Sequence, residues 1–475
     1  MTVFLSLTFL GGCEKRAAGV TRYFIDAVFD GNKSVSATMT VDYYNDTETE
    51  IKTLKFNLFP NAFRKGAKFV PCPPSSCAKA YPNGVSYGGI EIENCYEGGE
   101  PSPFEICGED RNILSLSLKK GVFPSERATV KVDFSVVLPE CALRLGSIDG
   151  YVNLGNWFPI LCVHEAGGFY ECEYSPFGDP FYSAAADYTV SLTVPGEFSV
   201  AACGNCVSTE TGERSTKYVY EIKNARDFAA VFSKKFHITE EKRADATLRI
   251  YYADCPFAEE ISAAAISALE TFGRLFGKYP FGTLSVVFTE FLQGGLEYPS
   301  LVYVSDALGK EDAISAAVHE IAHQWWYAAV GNNQIETAYI DEGLAEYSTL
   351  LFYENNPTYG VKAEEIINAK TSELRAFYGA FEQINGSAGT ALERKLSDFS
   401  GEYEYVETVY AGAPLMFDGL RRGVGNARFF AGLKNLYEDN KFGIVGRDEL
   451  ILAFERAGCD AEGYINSWAD GKVLP

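Results

Sequence analysis

The 475-residue sequence predicts two halves of different class, a twisted β-sandwich running to about residue 242 and then a mixed α and β half to Pro475. Two observations carry this. Apolar residues in the first half recur at every second position, and after the charged stretch TEEKRADAT, residues 239–247, they recur at helical spacing instead. A third places the chemistry: two of the four histidines fall in HEIAHQWW, which starts at His319 in the second half. The expected boundaries are a leader and linker over 1–17, the sandwich over 18–242 and the chemistry-bearing domain over 243–475.

The opening MTVFLSLTFLGGC is an apolar run too short to span a bilayer, which takes about twenty residues, and reads as the apolar core of an export signal. Leu10-Gly11-Gly12-Cys13 resembles a bacterial lipobox, so a lipid anchor on Cys13 and a bacterial surface location are expected. In SVSATMTVDYY, Val35, Ala37, Met39, Val41 and Tyr43 face one way and the residues between them the other. Val130, Val132, Phe134 and Val136 repeat the pattern, as do Tyr188, Val190, Leu192 and Val194. Gly-, Pro- and Asn-rich turns separate these strands, as a sandwich requires.

Past the charged stretch, LRIYYA is a strand, and EEISAAAISALETFGRLFGKYP is an amphipathic helix with Ile261, Ala265, Leu269, Phe272 and Phe276 inward. TLSVVFTEF returns to strand character, and the remainder after the metal motif is mostly helical. With 64 acidic against 41 basic residues the net charge is −23, which argues against a phosphate backbone as partner. Eleven cysteines follow Cys13, nine of them between Cys72 and Cys206, with Cys72 and Cys77 the obvious local pair.

In HEIAHQWW, Ile314, Val318, Ile321, Ala322 and Trp325 form one apolar stripe, so the motif is expected on a helix with His319 and His323 one turn apart on a single face. Two neutral imidazoles there can hold one divalent ion, and a catalytic zinc takes a third protein ligand and leaves a fourth position open. Glu342, nineteen positions after His323 in AYIDEGLAEYSTLLFY, is the expected third ligand, with Asp341 either capping the start of that helix or orienting a ligand as an acceptor. Glu320 is turned about one hundred degrees from the histidine face, where it can reach a water without binding the ion, as a general base must. Glu346 follows one turn after Glu342, either behind the histidines or solvated. Trp325 and Trp326 are expected as core and pocket wall.

HEIAHQWW together with Glu342 in DEGLAEY resembles the gluzincin aminopeptidases of the aminopeptidase N family. GGLEY, Gly294 to Tyr298, is similar to that family's GxMEN element, with Leu296 in the methionine slot and Tyr298 where asparagine is usual. The resemblance implies a thermolysin-like mixed α+β catalytic domain behind the sandwich and one zinc ion on His319, His323 and Glu342. It also implies substrate-binding roles for Gly294, Gly295 and Glu297, the carboxylate of Glu297 pairing with the free α-ammonium of a peptide. ETVYAGAPLMFDGLRR resembles the segment carrying the family's catalytic tyrosine, which makes Tyr410 the donor to the oxyanion. NWFPI and GDPFYSAAADYTVSLTVP extend the resemblance into the first half; the sequence given ends with INSWADGKVLP, where full-length members continue into a long helical domain.

The function this implies is zinc-dependent removal of N-terminal residues from peptides, with Glu320 as base. Two rivals stay open: an endopeptidase of the same zinc class in which Glu297 is structural, and a surface-anchored peptide-binding protein that keeps zinc with little catalysis.

Overall fold

Alternation in the first half becomes three larger sheets, beside a two-stranded ribbon of His164–Glu165 with Gly168–Phe169. Strands Ser34–Tyr44, Arg127–Val137 and Ala186–Pro195 bury every second side chain, including Val35, Met39 and Val41, Val130 to Val136, and Tyr188 to Val194. They lie in an eight-stranded sheet whose centre runs Ala186–Pro195, Arg22–Phe29, Ser34–Tyr44, Arg127–Val137. All these central pairings are antiparallel except that of Arg22–Phe29 with Ala186–Pro195. Two four-stranded sheets complete the sheet-rich half. Burial of one face of each strand supplies the hydrophobic driving force and fixes the register, since a one-residue slip would turn Val, Met and Tyr out to water.

The computed structural model describes residues 19–243, 246–386 and 389–473. The N-terminal apolar run and Cys13 lie outside the described residues. The cysteines from Cys72 onward are all free thiols, and Cys72 Sγ and Cys77 Sγ lie 3.6 Å apart.

The second half is built on a five-stranded sheet in the order His237–Lys242, Thr247–Tyr252, Thr283–Thr289, Leu301–Ser305, Gly295–Tyr298. Its first strand, His237–Lys242, thus lies ahead of the change in sequence character at residue 243 yet pairs antiparallel with Thr247–Tyr252. Helix α1 (Ala258–Leu275) buries Ile261, Ala265 and Phe272 as its spacing predicts, with Leu269 half-buried. Helices α2 (Lys310–Ala322), α3 (Gln334–Asn355), α4 (Ala363–Asn385) and α5 (Ala413–Val424) carry or surround the site. The edge strand Gly295–Tyr298 packs on α2, and α3 packs on both α2 and α5. Gly343 permits the last contact: a Cβ there would lie 2.4 Å from Ala413 Cβ.

Two helix boundaries differ from the sequence expectation. Helix α2 stops at Ala322, leaving His323 at its C-cap, whereas the apolar stripe runs on to Trp325. A tight turn takes over, because the indole N–H groups of Trp325 and Trp326 find Gly277 O at 2.9 Å and Ser348 Oγ at 3.0 Å in neighbouring elements. Both tryptophans are core and neither lines the site cavity, which corrects their expected role as pocket wall. Asp341 does not cap a helix. Helix α3 begins earlier, where Asn333 Oδ1 accepts from Ile335 N, is interrupted by the non-helical Thr337, and resumes at Ala338, so Asp341 and Glu342 follow close on the first turn of the resumed helix.

Candidate metal centre and its pocket

His319, on the last turn of α2, and His323, one turn on, point into a cavity of about 460 Å³ between the two halves. Glu342 reaches them from α3. His319 Nε2 lies 3.2 Å from Glu342 Oε2, His323 Nε2 lies 3.1 Å from His319 Nε2, and His323 Nε2 lies 3.4 Å from Glu342 Oε2. Ligand atoms about 2.0–2.1 Å from a tetrahedral ion stand roughly 3.3 Å from one another, so this triangle has the dimensions of three corners of a zinc site. The donor set, two imidazoles and one carboxylate, also suits zinc.

The imidazoles are held from behind. His323 Nδ1 lies 2.9 Å from Trp326 O, a contact that places the proton on Nδ1 and leaves the Nε2 lone pair facing the other ligands. Glu346 Oε1 sits 3.0 Å from His319 Nδ1, off the ring's donor axis. Its other oxygen is 2.9 Å from Lys370 Nζ on α4. Burial pushes the Glu346 carboxyl up, but Lys370 and His319 outweigh it and bring it down to about 2, so it stays ionised. Of the two readings left open by sequence, Glu346 therefore lies behind a histidine rather than in solvent.

Glu320 turns away from the triangle toward the edge strand. A Cβ at Gly295 would lie 2.4 Å from Glu320 Oε1, so only glycine leaves room for this carboxylate. Burial raises the Glu320 carboxyl to about 7 against the pull of His319 and His323. A carboxyl in that range can both take and return a proton near neutral pH.

Glu297 lies on the same strand, buried, and lines the cavity with Gly294 and Gly295. Burial and then Asp179 push its carboxyl well above the usual carboxylate range. One oxygen, Oε1, accepts from Gln334 Nε2 at 2.9 Å, and the same amide nitrogen donates to Asp341 Oδ2 at 2.8 Å. Asn332 Nδ2 donates to Asp341 Oδ1 at 2.8 Å. Asp341 is therefore an acceptor that fixes Gln334, and Gln334 in turn orients Glu297. The unusual Tyr298 does not disturb this: strand alternation sends its side chain to the opposite face, where its hydroxyl donates to Asn156 Oδ1 at 3.1 Å in the NWFPI segment. Gln324 pins the strand to the metal motif, donating to Tyr298 O at 3.0 Å and accepting from Ser300 N at 2.7 Å.

Tyr410 comes from a π-helical turn, Glu407–Gly412, that leads into α5. Its ring is nearly parallel to that of His319 at 6.0 Å between centroids, and its hydroxyl interacts with Glu342. Tyr403 is largely exposed; Tyr405 lines the same cavity but packs against Phe177 and Phe399, and Tyr410 is the tyrosine of this segment whose ring lies beside His319. The structure thus brings His319, Glu320, His323, Glu342, Glu297, Gly294, Gly295 and Tyr410 to one cavity. Sequence reasoning missed Gln324, Gln334, Asn332, Lys370 and the cavity-lining ion pair of Asp179 with Arg144, 2.7 Å apart. Gln324 lies within HEIAHQWW and Asp179 within GDPFYSAAADYTVSLTVP, but nothing in either pattern marks the residue's own role, and the others lie outside the quoted motifs.

Residues 260–468 match the Peptidase family M1 domain. Aminopeptidase B of Rattus norvegicus is 32% identical over 148 residues, which is 30% of this chain and 20% of that protein. Aminopeptidase RNPEPL1 of Homo sapiens is 31% identical over 93 residues, 19% of this chain and 13% of its own length. The chain thus spans well under two thirds of the curated relatives it matches. The M1 zinc metallopeptidase of Deinococcus radiodurans superposes with a TM-score of 0.67 at 17% identity, covering 96% of this chain and 95% of that one. A variant of the Deinococcus radiodurans enzyme bound to a Tyr-Ser-Ala substrate gives 0.66 over the same coverage. Residues 260–468 thus match the Peptidase family M1 domain, in a chain whose fold is that of the two-domain M1 zinc metallopeptidases.

Proposed function

We propose that the chain is a zinc-dependent aminopeptidase that hydrolyses the N-terminal peptide bond of peptides. The observation that carries this reading is the placement of the oriented carboxylate of Glu297 in the same cavity as the His319, His323 and Glu342 triangle and Glu320. When bound, zinc supplies a Lewis acid that polarises the scissile carbonyl and lowers the pKa of a water to about 7.

The chain's own residues do the rest. Glu297 pairs with the α-ammonium and fixes the distance from the amine to the first peptide bond, so cleavage falls after one residue. Its ionised form, disfavoured by burial and by the neighbouring Asp179, is restored by the incoming positive charge. Glu320 takes a proton from the attacking water and delivers it to the leaving amine. Tyr410 donates to the oxygen on which negative charge develops. Peptides with a free N-terminus are the substrates.

The deciding experiment compares a free-amine peptide with its N-acetylated counterpart, with and without a chelator. Hydrolysis of the free peptide alone, lost with chelator and restored by zinc, supports the reading. Internal cleavage of the acetylated peptide would support an endopeptidase instead, and stoichiometric zinc without hydrolysis a binding protein. A lipid anchor at Cys13, with a bacterial surface location, completes the proposal, and mass spectrometry finding an unmodified Met1 would remove it.

A further inference from the structure

We propose that Lys370 is a positioning residue that ties the metal-holding side of the site to its oxyanion side. The inference rests on the zinc peptidase reading above for its catalytic half only.

Lys370 projects from α4, outside every motif read in the sequence. Its ammonium meets two acceptors from different elements: Glu346 Oε2 at 2.9 Å on α3 and the backbone carbonyl of Tyr410 at 2.8 Å on the π-helical turn. The first partner leads to the metal side, since the other oxygen of Glu346 faces His319 Nδ1 at 3.0 Å. The second leads to the oxyanion side, since it is the peptide of Tyr410 itself. With its side chain only 18% exposed, the ammonium is taken out of most of its water, and these two acceptors replace it.

The chemistry explains why a cation is needed at this point. Glu346 is one helical turn from Glu342, so α3 presents two carboxylates to one imidazole. Without a counter-charge the second would be an unpaired buried anion beside the first. Lys370 pairs with one oxygen of Glu346 and so fixes the other beside the ring that must present Nε2 to the ion. The same ammonium holds the carbonyl of a π-helical turn, a rare local geometry that recurs at functional sites. One side chain therefore braces both the carboxylate packed behind His319 and the peptide of Tyr410.

The test uses the full chain and the variants Lys370→Met, Lys370→Arg, Glu346→Gln and the double variant Lys370→Met/Glu346→Gln. Zinc affinity is read by competition with a chelating dye, and kcat and KM are read at saturating zinc. Lys370→Met should weaken zinc about 10-fold or more, as loss of a group supporting a metal ligand does, and also lower kcat about 10-fold with KM little changed, as a small misplacement does. Lys370→Arg, which keeps the charge and can reach both acceptors, should recover most of both.

The double variant carries no buried unpaired charge, so it remains informative if Lys370→Met alone folds poorly. Its zinc affinity should equal that of Glu346→Gln alone. A zinc affinity for Lys370→Met within twofold of the parent, or losses that multiply in the double variant, would overturn the proposal. Should the parent bind zinc and hydrolyse nothing, the peptidase reading fails, while the zinc measurements still decide whether Lys370 supports the metal side.

Discussion

His319 Nε2 and His323 Nε2 face each other at 3.1 Å, with Glu342 Oε2 completing the triangle. Two neutral imidazoles so arranged direct lone pairs at one point, a repulsive contact that a shared cation turns into an attractive one. Zinc should therefore stabilise the fold: at a free concentration 100 times Kd the gain is about 2.7 kcal/mol. Calorimetry with zinc and with chelator checks this, and His323→Ala should abolish the shift together with the bound metal.

Glu320→Gln should keep stoichiometric zinc and lower kcat by about 100- to 10,000-fold, the range for removing a general acid–base. Gly295→Ala offers an independent route to the same atom, since its Cβ would fall 2.4 Å from Glu320 Oε1 and push the carboxylate aside. Metal analysis beside kcat should find zinc retained and turnover reduced; full activity in either variant would refute the base assignment.

Gln334→Leu removes the donor that orients Glu297 and leaves Asp341 without one of its partners. Loss of a hydrogen bond to a charged group is worth about 1.5–3 kcal/mol, so kcat/KM on free-amine peptides should fall about 10- to 100-fold. Glu297→Gln should fall further. Steady-state kinetics on both variants would contradict the assignment if kcat/KM were unchanged.

Tyr410→Phe should lower kcat about 100- to 1000-fold with zinc affinity unchanged, the usual cost of one oxyanion donor. Tyr405→Phe, in the apolar cluster beside it, should cost far less. Equal losses in a side-by-side kinetic comparison would mean that the donor has been misassigned.

Stability should depend on pH through Asp227, which does not line the site cavity. It is fully buried, accepts from the Tyr327 hydroxyl at 2.7 Å, and its Oδ1 has no partner among the described residues. Burial pushes its carboxyl from 3.8 up to about 7, against the pull of Tyr327 and Arg144. Between those values the native state keeps a proton that the unfolded chain has released, so this group makes stability fall as pH rises, by at most about 4 kcal/mol. Asp227→Asn should lack that loss. Its melting temperature relative to the parent should climb from pH 5 to pH 8, and a flat difference would show that Asp227 is ionised throughout.

Much of the site was legible because its spacing is local. His319, Glu320 and His323 share one helical turn, and Glu342 lies one short connection away, so 3.6-residue geometry alone brings two rings together and turns the base aside. The alternating strands were legible for the same reason: period two leaves little choice of face. Where local rules competed, they misled. The apolar stripe continues to Trp325, but burial of both indoles elsewhere ends α2 at Ala322. Asp341 has the composition of a cap and is an interior acceptor, because Asn333 starts the helix earlier.

The sequence by itself determined the alternating strands, the clustering of His319 and His323, and the side of the helix on which Glu320 stands, because each is written in residues a few positions apart. Tertiary structure alone decided what holds those groups in place. Gln334 meets Glu297 across 37 positions and Lys370 meets Tyr410 across 40, contacts that arise only when separate helices and an edge strand pack around one cavity. A buried amide or ammonium must find its partners wherever the fold puts them, and no period in the chain records that choice.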